Sequence, residues 1–332
     1  MSIAKHARTL LAAAALAASS TAAFAAEELS LSYFMGPKHP MNAAVFTPFA
    51  EKLAEVSGGE LTVKQYPGGA LNSAPPKQYS TLLSGISDIA FGLPGYTGDL
   101  FPVTNTVTMP GVCPDAVACT EALWRAMPEI EKEYDAKVLA IWANDPPVLI
   151  TRDTPVRTLE DFQGLKIRVT AKQDVPFMEA LGASAVSQPV SVINQNLANG
   201  TIDGIAIDPS AIRSFKLHEP ANYVTVGIPG SGSAFFLLMN NEIYDGLSDQ
   251  QRAWVDEASG EWLSQSGGAV YAKAAAGGIA AAQEAGVEII ELEEAERARM
   301  SEAVAEPLAD FSARELRDGL TGGDVLSMMK GE

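Results

Sequence analysis

The chain has 332 residues, 47% of them hydrophobic, and a formal net charge of −18. That charge argues against nucleic acid or an anionic membrane surface as a partner, but it leaves an anionic ligand open, because the local field at a site outweighs the total. The length allows two domains with separate cores.

Residues 1–26 read as a signal peptide. Lys5, His6 and Arg8 make a basic start, Leu10 to Ala18 a short apolar core, and Ala23-Phe24-Ala25 a small-residue cleavage site. The alternative is a retained anchor, but the apolar run is too short to span a bilayer. No later stretch reaches about twenty uninterrupted apolar residues, so an exported, soluble protein is expected.

Leu29 to Phe34 alternates as a strand and ends at Gly36-Pro37. In Asn42 to Val56, Val45, Phe46, Phe49, Leu53 and Val56 recur at helical spacing. Leu61 to Tyr66 is a second strand, Pro76 to Ser84 a helix, and Asp88 to Phe91 a third strand. This alternation predicts a mostly parallel α/β sheet. Leu82-x-x-Gly85-x-x-Asp88 is echoed by Leu197-x-x-Gly200-x-x-Asp203, which suggests two α/β units of like design. The two cysteines, Cys113 and Cys119, are expected to form a local disulfide in an oxidising compartment. Two free thiols or a metal pair are the alternatives, and no further ligands lie near in sequence for the metal.

After Ala140-Ile141-Trp142 comes Asn144-Asp145-Pro146-Pro147, then a new strand, VLITR. This reads as a crossover between domains. A second is expected at Gly230 to Ser233, before the apolar strand Ala234 to Met239. In doubly wound sheets ligands bind beyond the carboxyl ends of strands. That places the cleft at Phe34–Pro37, Phe91–Tyr96, Asn144–Pro147 and Ile207–Ser210. Phe34 and Trp142 are assigned to the core, while Tyr33, Phe91 and Tyr96 are candidates for lining a pocket.

Thr158 to Thr170, TLEDFQGLKIRVT, reads as an acidic helical turn, a glycine and a strand. Leu165, Ile167 and Val169 share one face, and Lys166 and Arg168 the other. A guanidinium in an α/β strand is costly unless it meets an anion. Arginine grips a carboxylate through two parallel bonds. Arg168 is therefore either a carboxylate anchor or an edge-strand arginine paired with Asp161 or Glu160.

Asp249 to about Ala285 carries Trp254, Val255, Ala258 and Trp262 at helical spacing, with Ser248 as N-cap. The Gly-Gly pairs at 267–268 and 277–278 are expected to weaken or bend that helix. Glu291 to Arg317 reads as a solvated amphipathic helix. The chain has no P-loop, G-x-S-x-G elbow, H-E-x-x-H or paired C-x-x-C. His39 and His218 each stand alone and read as capping or surface histidines. No catalytic, metal or cofactor site is expected.

LEDFQGLKIRV, followed about thirty residues later by NGTIDGIAIDP, resembles the substrate-binding proteins of TRAP (tripartite ATP-independent periplasmic) transporters, the DctP-type family. Further resemblance lies in HPMNAAVFTPFAEKLAEVSGGELTVKQYPGGAL, GISDIAFGLPGYTGDLFP and FKLHEPANYVT, spanning nearly the whole chain beyond residue 26. The resemblance implies a two-lobed α/β periplasmic-binding-protein fold. Lobe I would comprise residues 27–145 plus 233–272, and lobe II residues 146–232 plus 273–332. A long C-terminal helix would span both, and the cleft would close on the ligand.

It also implies that Arg168 clamps the ligand carboxylate. The residues expected to contact the ligand are Arg168, Tyr33, Phe91, Tyr96, Asn144, Gln188, Ile207 and Asp208. The partners implied are a small organic carboxylate and the small and large permease subunits in the membrane, with the protein a periplasmic monomer. Sialate-type members carry a second arginine where this chain has Val148, and an asparagine where it has Ile207 and Asp208. A close subgroup has Pro-Trp-Glu where this chain has Asp208-Pro209-Ser210. A smaller monocarboxylate with an apolar or aromatic body is therefore expected, with a hydroxyl or amine welcome if Asp208 faces the cleft. A periplasmic sensor on the same fold and a cleft adapted to catalysis are the other classes.

Overall fold

The computed structural model describes residues 27–332, so the expected signal peptide lies outside the described residues. Two sheets carry the fold. The first has the order β2-β1-β3-β10-β4, with β1 at Glu27–Ser32, β2 at Leu61–Tyr66, β3 at Ile89–Gly92, β4 at Ala136–Ala143 and β10 at Ala234–Asn240. The second has the order β11-β9-β5-β8-β6-β7, with β5 at Val148–Thr151, β6 at Lys166–Val169, β7 at Ser184–Ser187, β8 at Gly204–Ile207, β9 at Tyr223–Val226 and β11 at Glu288–Glu291. Each sheet is mostly parallel with one reversed strand. β10 runs antiparallel to β3 and β4, and β5 runs antiparallel to β8 and β9. The reversed strand is in each case the first strand after the chain changes sheet.

Burial follows the strand alternation. In the second sheet Val148, Ile150, Ile205 and Ile207 pack into one core, and Leu149, Ile167, Val169 and Ala206 into another on the opposite face. Both faces are covered, as a sheet flanked by helices requires. In the first sheet Leu29, Leu31, Ile89, Phe91, Leu237 and Met239 share a core with Phe46, Phe49 and Leu53 of the expected first helix. That helix starts with a π turn at Asn42–Phe46 before its α part, Thr47–Val56.

The long C-terminal helix differs from its expected form. The segment from Asp249 breaks at Ser259-Gly260, giving helices Asp249–Ala258 and Glu261–Glu284. Gly260 has φ of 94°, a left-handed conformation that costs glycine little. Its N–H bonds Leu139 O at 2.6 Å. Ser248 does cap the first piece, accepting from Gln251 N at 3.2 Å. The Gly-Gly pairs do not interrupt the second piece, and three of their glycines serve close packing instead. A Cβ at Gly267 would meet Trp142 at 2.7 Å, one at Gly268 Thr120 Oγ1 at 2.5 Å, and one at Gly278 Pro209 O at 1.8 Å. The 24-residue helix thus lies against the first sheet at one end and against the loop after β8 at the other.

Glu291 to Arg317 is not one solvated helix either. It forms helices Glu294–Ala303 and Ala305–Ala313, which bury Met300 and Phe311. Residues 273–332, expected to stay with the second sheet, end instead on the first sheet's flank. The final helix, Gly322–Lys330, buries Val325, Leu326 and Met329 in the core that also holds Cys119 and Leu123 of the Ala116–Arg125 helix. Arg125 Nε donates to Met329 O at 2.7 Å.

Candidate functional site

The chain passes between the sheets at three places; the third runs from β10 to β11 through the helix Glu261–Glu284, and the first two meet at Asn144. Its Nδ2 donates to Asp208 Oδ2 at 2.7 Å, and its Oδ1 accepts from Ser233 N at 2.7 Å. The return strand comes so close that a Cβ at Gly232 would sit 2.0 Å from Asn144 O. Cys113 and Cys119 are disulfide-bonded in the structure, with Cα atoms 5.0 Å apart. They brace this junction: Ser231 Oγ accepts from Cys113 N at 3.3 Å.

Two chambers lie beside the junction and share Thr170, Ile207, Asp208 and Ser233 in their walls. One is aromatic and holds about 450 Å³ of unfilled space, part of it continuous with solvent. Phe34, Phe91, Tyr96, Phe215, Phe235 and Tyr271 line it, along with His39 and Asn144. The other, about 500 Å³, is acidic, with Asp145, Asp174 and Asp208 facing Phe177 and Met178.

Arg168 stands behind the shared wall, fully buried on β6. Its Nε and Nη2 donate to Gln188 O at 2.9 and 2.6 Å, and its Nη1 to Thr170 Oγ1 at 3.1 Å. The Tyr96 hydroxyl also faces the guanidinium and accepts from Val190 N at 3.0 Å. The alternative partners are engaged elsewhere. Asp161 accepts from Arg157 N and Thr158 N at 2.8 and 2.9 Å, and Glu160 pairs with Arg299. Among the described residues, no carboxylate forms a salt bridge with Arg168. Burial pushes its pKa down, opposed by Tyr96, Asp174 and Asp208; arginine keeps its charge throughout. Burial also raises the pKa of Asp208 and of Asp174 to about 6.

Of the residues expected to contact ligand, Phe91, Tyr96, Asn144, Ile207 and Asp208 line the aromatic chamber. Tyr33 does not. It is 1% exposed, stacks on Phe46 at 4.5 Å, and its hydroxyl is held between Gln65 and Asn42 at 2.9 and 2.7 Å. Its neighbour Phe34, assigned to the core from sequence, takes the chamber wall just past the end of β1 at Ser32. Trp142 is core. Gln188 contributes its carbonyl to Arg168, while its side chain accepts from Asn196 at 2.9 Å.

His39 and Tyr271 were missed as wall residues. His39 lies just beyond the first strand's carboxyl end, so the positional rule could have found it; nothing local marks Tyr271. His218 bonds Ile212 O at 3.2 Å and lines neither chamber. No metal-holding cluster occurs among the described residues, and no described helix is long and apolar enough to cross a membrane.

Two α/β lobes with a polar-aromatic chamber at their junction define a solute-binding protein. The chain belongs to the bacterial extracellular solute-binding proteins of family 7, whose model matches residues 31–315. It is a periplasmic TRAP solute-binding protein and not an enzyme.

Among solved structures it is similar to a marine metagenome TRAP protein specific for aromatic acid ligands, in complex with metahydroxyphenylacetate. The two are 29% identical, with a TM-score of 0.85, over 92% of this chain and 97% of that one. A TRAP protein from Rhodoferax ferrireducens with copurified benzoate is 27% identical, with a TM-score of 0.84 and the same coverage. The 2,3-diketo-L-gulonate-binding periplasmic protein of Escherichia coli is 26% identical, over 92% of this chain and 93% of its own.

Proposed function

We propose that this protein captures a small aromatic monocarboxylate in the aromatic chamber, anchors it on Arg168, and delivers it to the small and large subunits of a TRAP permease. The observation that carries this is a fully buried guanidinium with no carboxylate partner among the described residues, set beside a chamber walled by aromatic rings. A buried charge costs several kcal/mol unless it is compensated, and a ligand carboxylate supplies the compensation. Relatives that bind aromatic acids at 27–29% identity support the ligand class. Residues 27–145 with 233–272, and 146–232 with most of 273–332, act as lobes that close about the crossovers, and the protein works as a monomer.

A thermal-shift panel tests the reading. Benzoate, phenylacetate and mandelate are compared with benzamide. A carboxylate at a hundred times its Kd stabilises by about 2.7 kcal/mol, or roughly 5–10 °C for a chain of this size. Benzamide should give no shift. An equal shift with benzamide, or none with any monocarboxylate, overturns the reading.

A further inference from the structure

Buried tyrosine hydroxyls normally find a partner, and most here do. Tyr33 bonds Gln65 and Asn42, Tyr79 accepts from Asp135 N, and Tyr134 donates to Thr104. Tyr271 is the exception. It is 3% exposed, its ring stacks on Phe235 at 4.8 Å, and its hydroxyl has no hydrogen-bond partner among the described residues. It lies in the wall of the aromatic chamber, near enough to Asp208 and Tyr96 for their charge to bear on it.

A second unspent donor lines the same wall. His39 Nδ1 accepts from Met41 N at 3.4 Å, which leaves the proton on Nε2. That nitrogen has no partner among the described residues. Burial lowers the ring's pKa to about 4, so it stays neutral at physiological pH. The ring sits 6.4 Å from Tyr271 and 6.2 Å from Phe215. Asp208 faces both. Its oxygens accept from Asn144 Nδ2 and Ser210 N and keep lone pairs free.

We propose that Tyr271 and His39 are specificity residues that donate to a hydroxyl oxygen on the ligand's ring, while that hydroxyl donates to Asp208. The inference rests on the aromatic-carboxylate reading above and adds to it. Two donors and one acceptor converge on the chamber, and a hydroxyl both accepts and donates. A second carboxylate would satisfy the donors but would be repelled by Asp208. An ammonium would satisfy Asp208 but has no lone pair for His39. A methyl or halide leaves all three groups unpaired and desolvated, which is costly. His39 comes from the loop after β1 and Asp208 from the end of β8, so the bound hydroxyl would tie one sheet to the other.

Calorimetry with benzoate, 3-hydroxybenzoate and 4-hydroxybenzoate tests this. In the native protein one hydroxybenzoate should bind about tenfold more tightly than benzoate, the yield of one well-made hydrogen bond. The readout is the ratio of the two Kd values. In Tyr271→Phe and in His39→Leu that ratio should fall to threefold or less. If His39→Leu does not fold, Tyr271→Phe alone decides. Benzoate binding as tightly as both hydroxybenzoates in the native protein overturns the inference, as does a ratio that survives Tyr271→Phe. If none of the three probes binds, the aromatic-carboxylate reading itself falls, and this inference with it.

Discussion

Adjacent glycines in the long helix should respond oppositely to the same substitution. A Cβ at Gly278 would lie 1.8 Å from Pro209 O and 2.7 Å from Pro209 C, whereas one at Gly277 meets nothing within 4 Å. Ordinary contact begins near 3.4 Å, so Gly278→Ala must force helix and loop apart by about 1.6 Å. Overpacking of this kind costs about 1–3 kcal/mol. The helix preference of alanine returns about 0.5–1 kcal/mol of that. The net loss is about 0–2.5 kcal/mol, so at roughly 2–4 °C per kcal/mol Gly278→Ala should melt up to about 10 °C below the native protein. Gly277→Ala keeps only the gain and should melt about 1–4 °C above it. Scanning calorimetry of both variants, unliganded, reads this directly. If Gly278→Ala melts above the native temperature, as Gly277→Ala should, the close approach of the long helix to the β8 loop is not real. Equal destabilisation by Gly277→Ala would place the cost elsewhere than in contact with Pro209.

Three further outcomes are expected. Mass spectrometry of unreduced, periplasm-derived protein should find no free thiol at Cys113 or Cys119; reduction should cost about 2 kcal/mol, the entropy of closing so short a loop. Two free thiols would refute the bridge. The Asp208 pKa of about 6 lies above the ordinary 3.8 because of burial, so the folded state binds its proton more tightly than the unfolded state. Its contribution to stability therefore falls as pH rises from about 4 to about 6. Asp208→Asn should remove that fall and raise the melting temperature at pH 7.5 but not at pH 4; an unchanged pH profile would contradict it. Small-angle scattering should show compaction when a confirmed carboxylate is added, through movement at Asn144–Val148 and Gly230–Ser233. An unchanged radius of gyration would rule out that hinge.

Much of this architecture could be read from local chemistry. The prolines after Asn144 and the glycines before Ala234 mark the first two of the three changes of sheet, because both residue types punctuate regular structure. Arg168 stood out as a charge on an otherwise apolar strand. Asp208 stood out because it follows a short apolar strand, where doubly wound folds place ligands. What failed depended on tertiary packing. Alternation put Tyr33 and Phe34 on opposite sides of the first strand, but which side faces the chamber depends on what covers the sheet. The helix glycines read as weak points because only the helix itself was in view. Trp142, Thr120 and Pro209, which need the space those glycines leave, arrive from distant parts of the chain. His39 lay just beyond the strand end that the positional rule marks, whereas Tyr271 gave no local signal, because its meaning lies in lacking a partner.

The central claim is that Arg168 holds the ligand's carboxylate, and calorimetry on Arg168→Ala with benzoate or its best-binding analogue tests it most directly. Truncating one partner of a buried charge pair costs roughly 2–5 kcal/mol, or about thirty-fold to several thousand-fold in Kd. Arg168→Lys should also bind poorly, because an ammonium cannot reproduce the planar fork. Arg152→Ala is the control: that side chain pairs with Asp153 and bonds Leu197 O, and it lines neither chamber. It should bind within about threefold of the native protein, an effect of under 1 kcal/mol. If Arg168→Ala folds and also binds within about threefold of native, Arg168 is a structural residue and the carboxylate is held elsewhere.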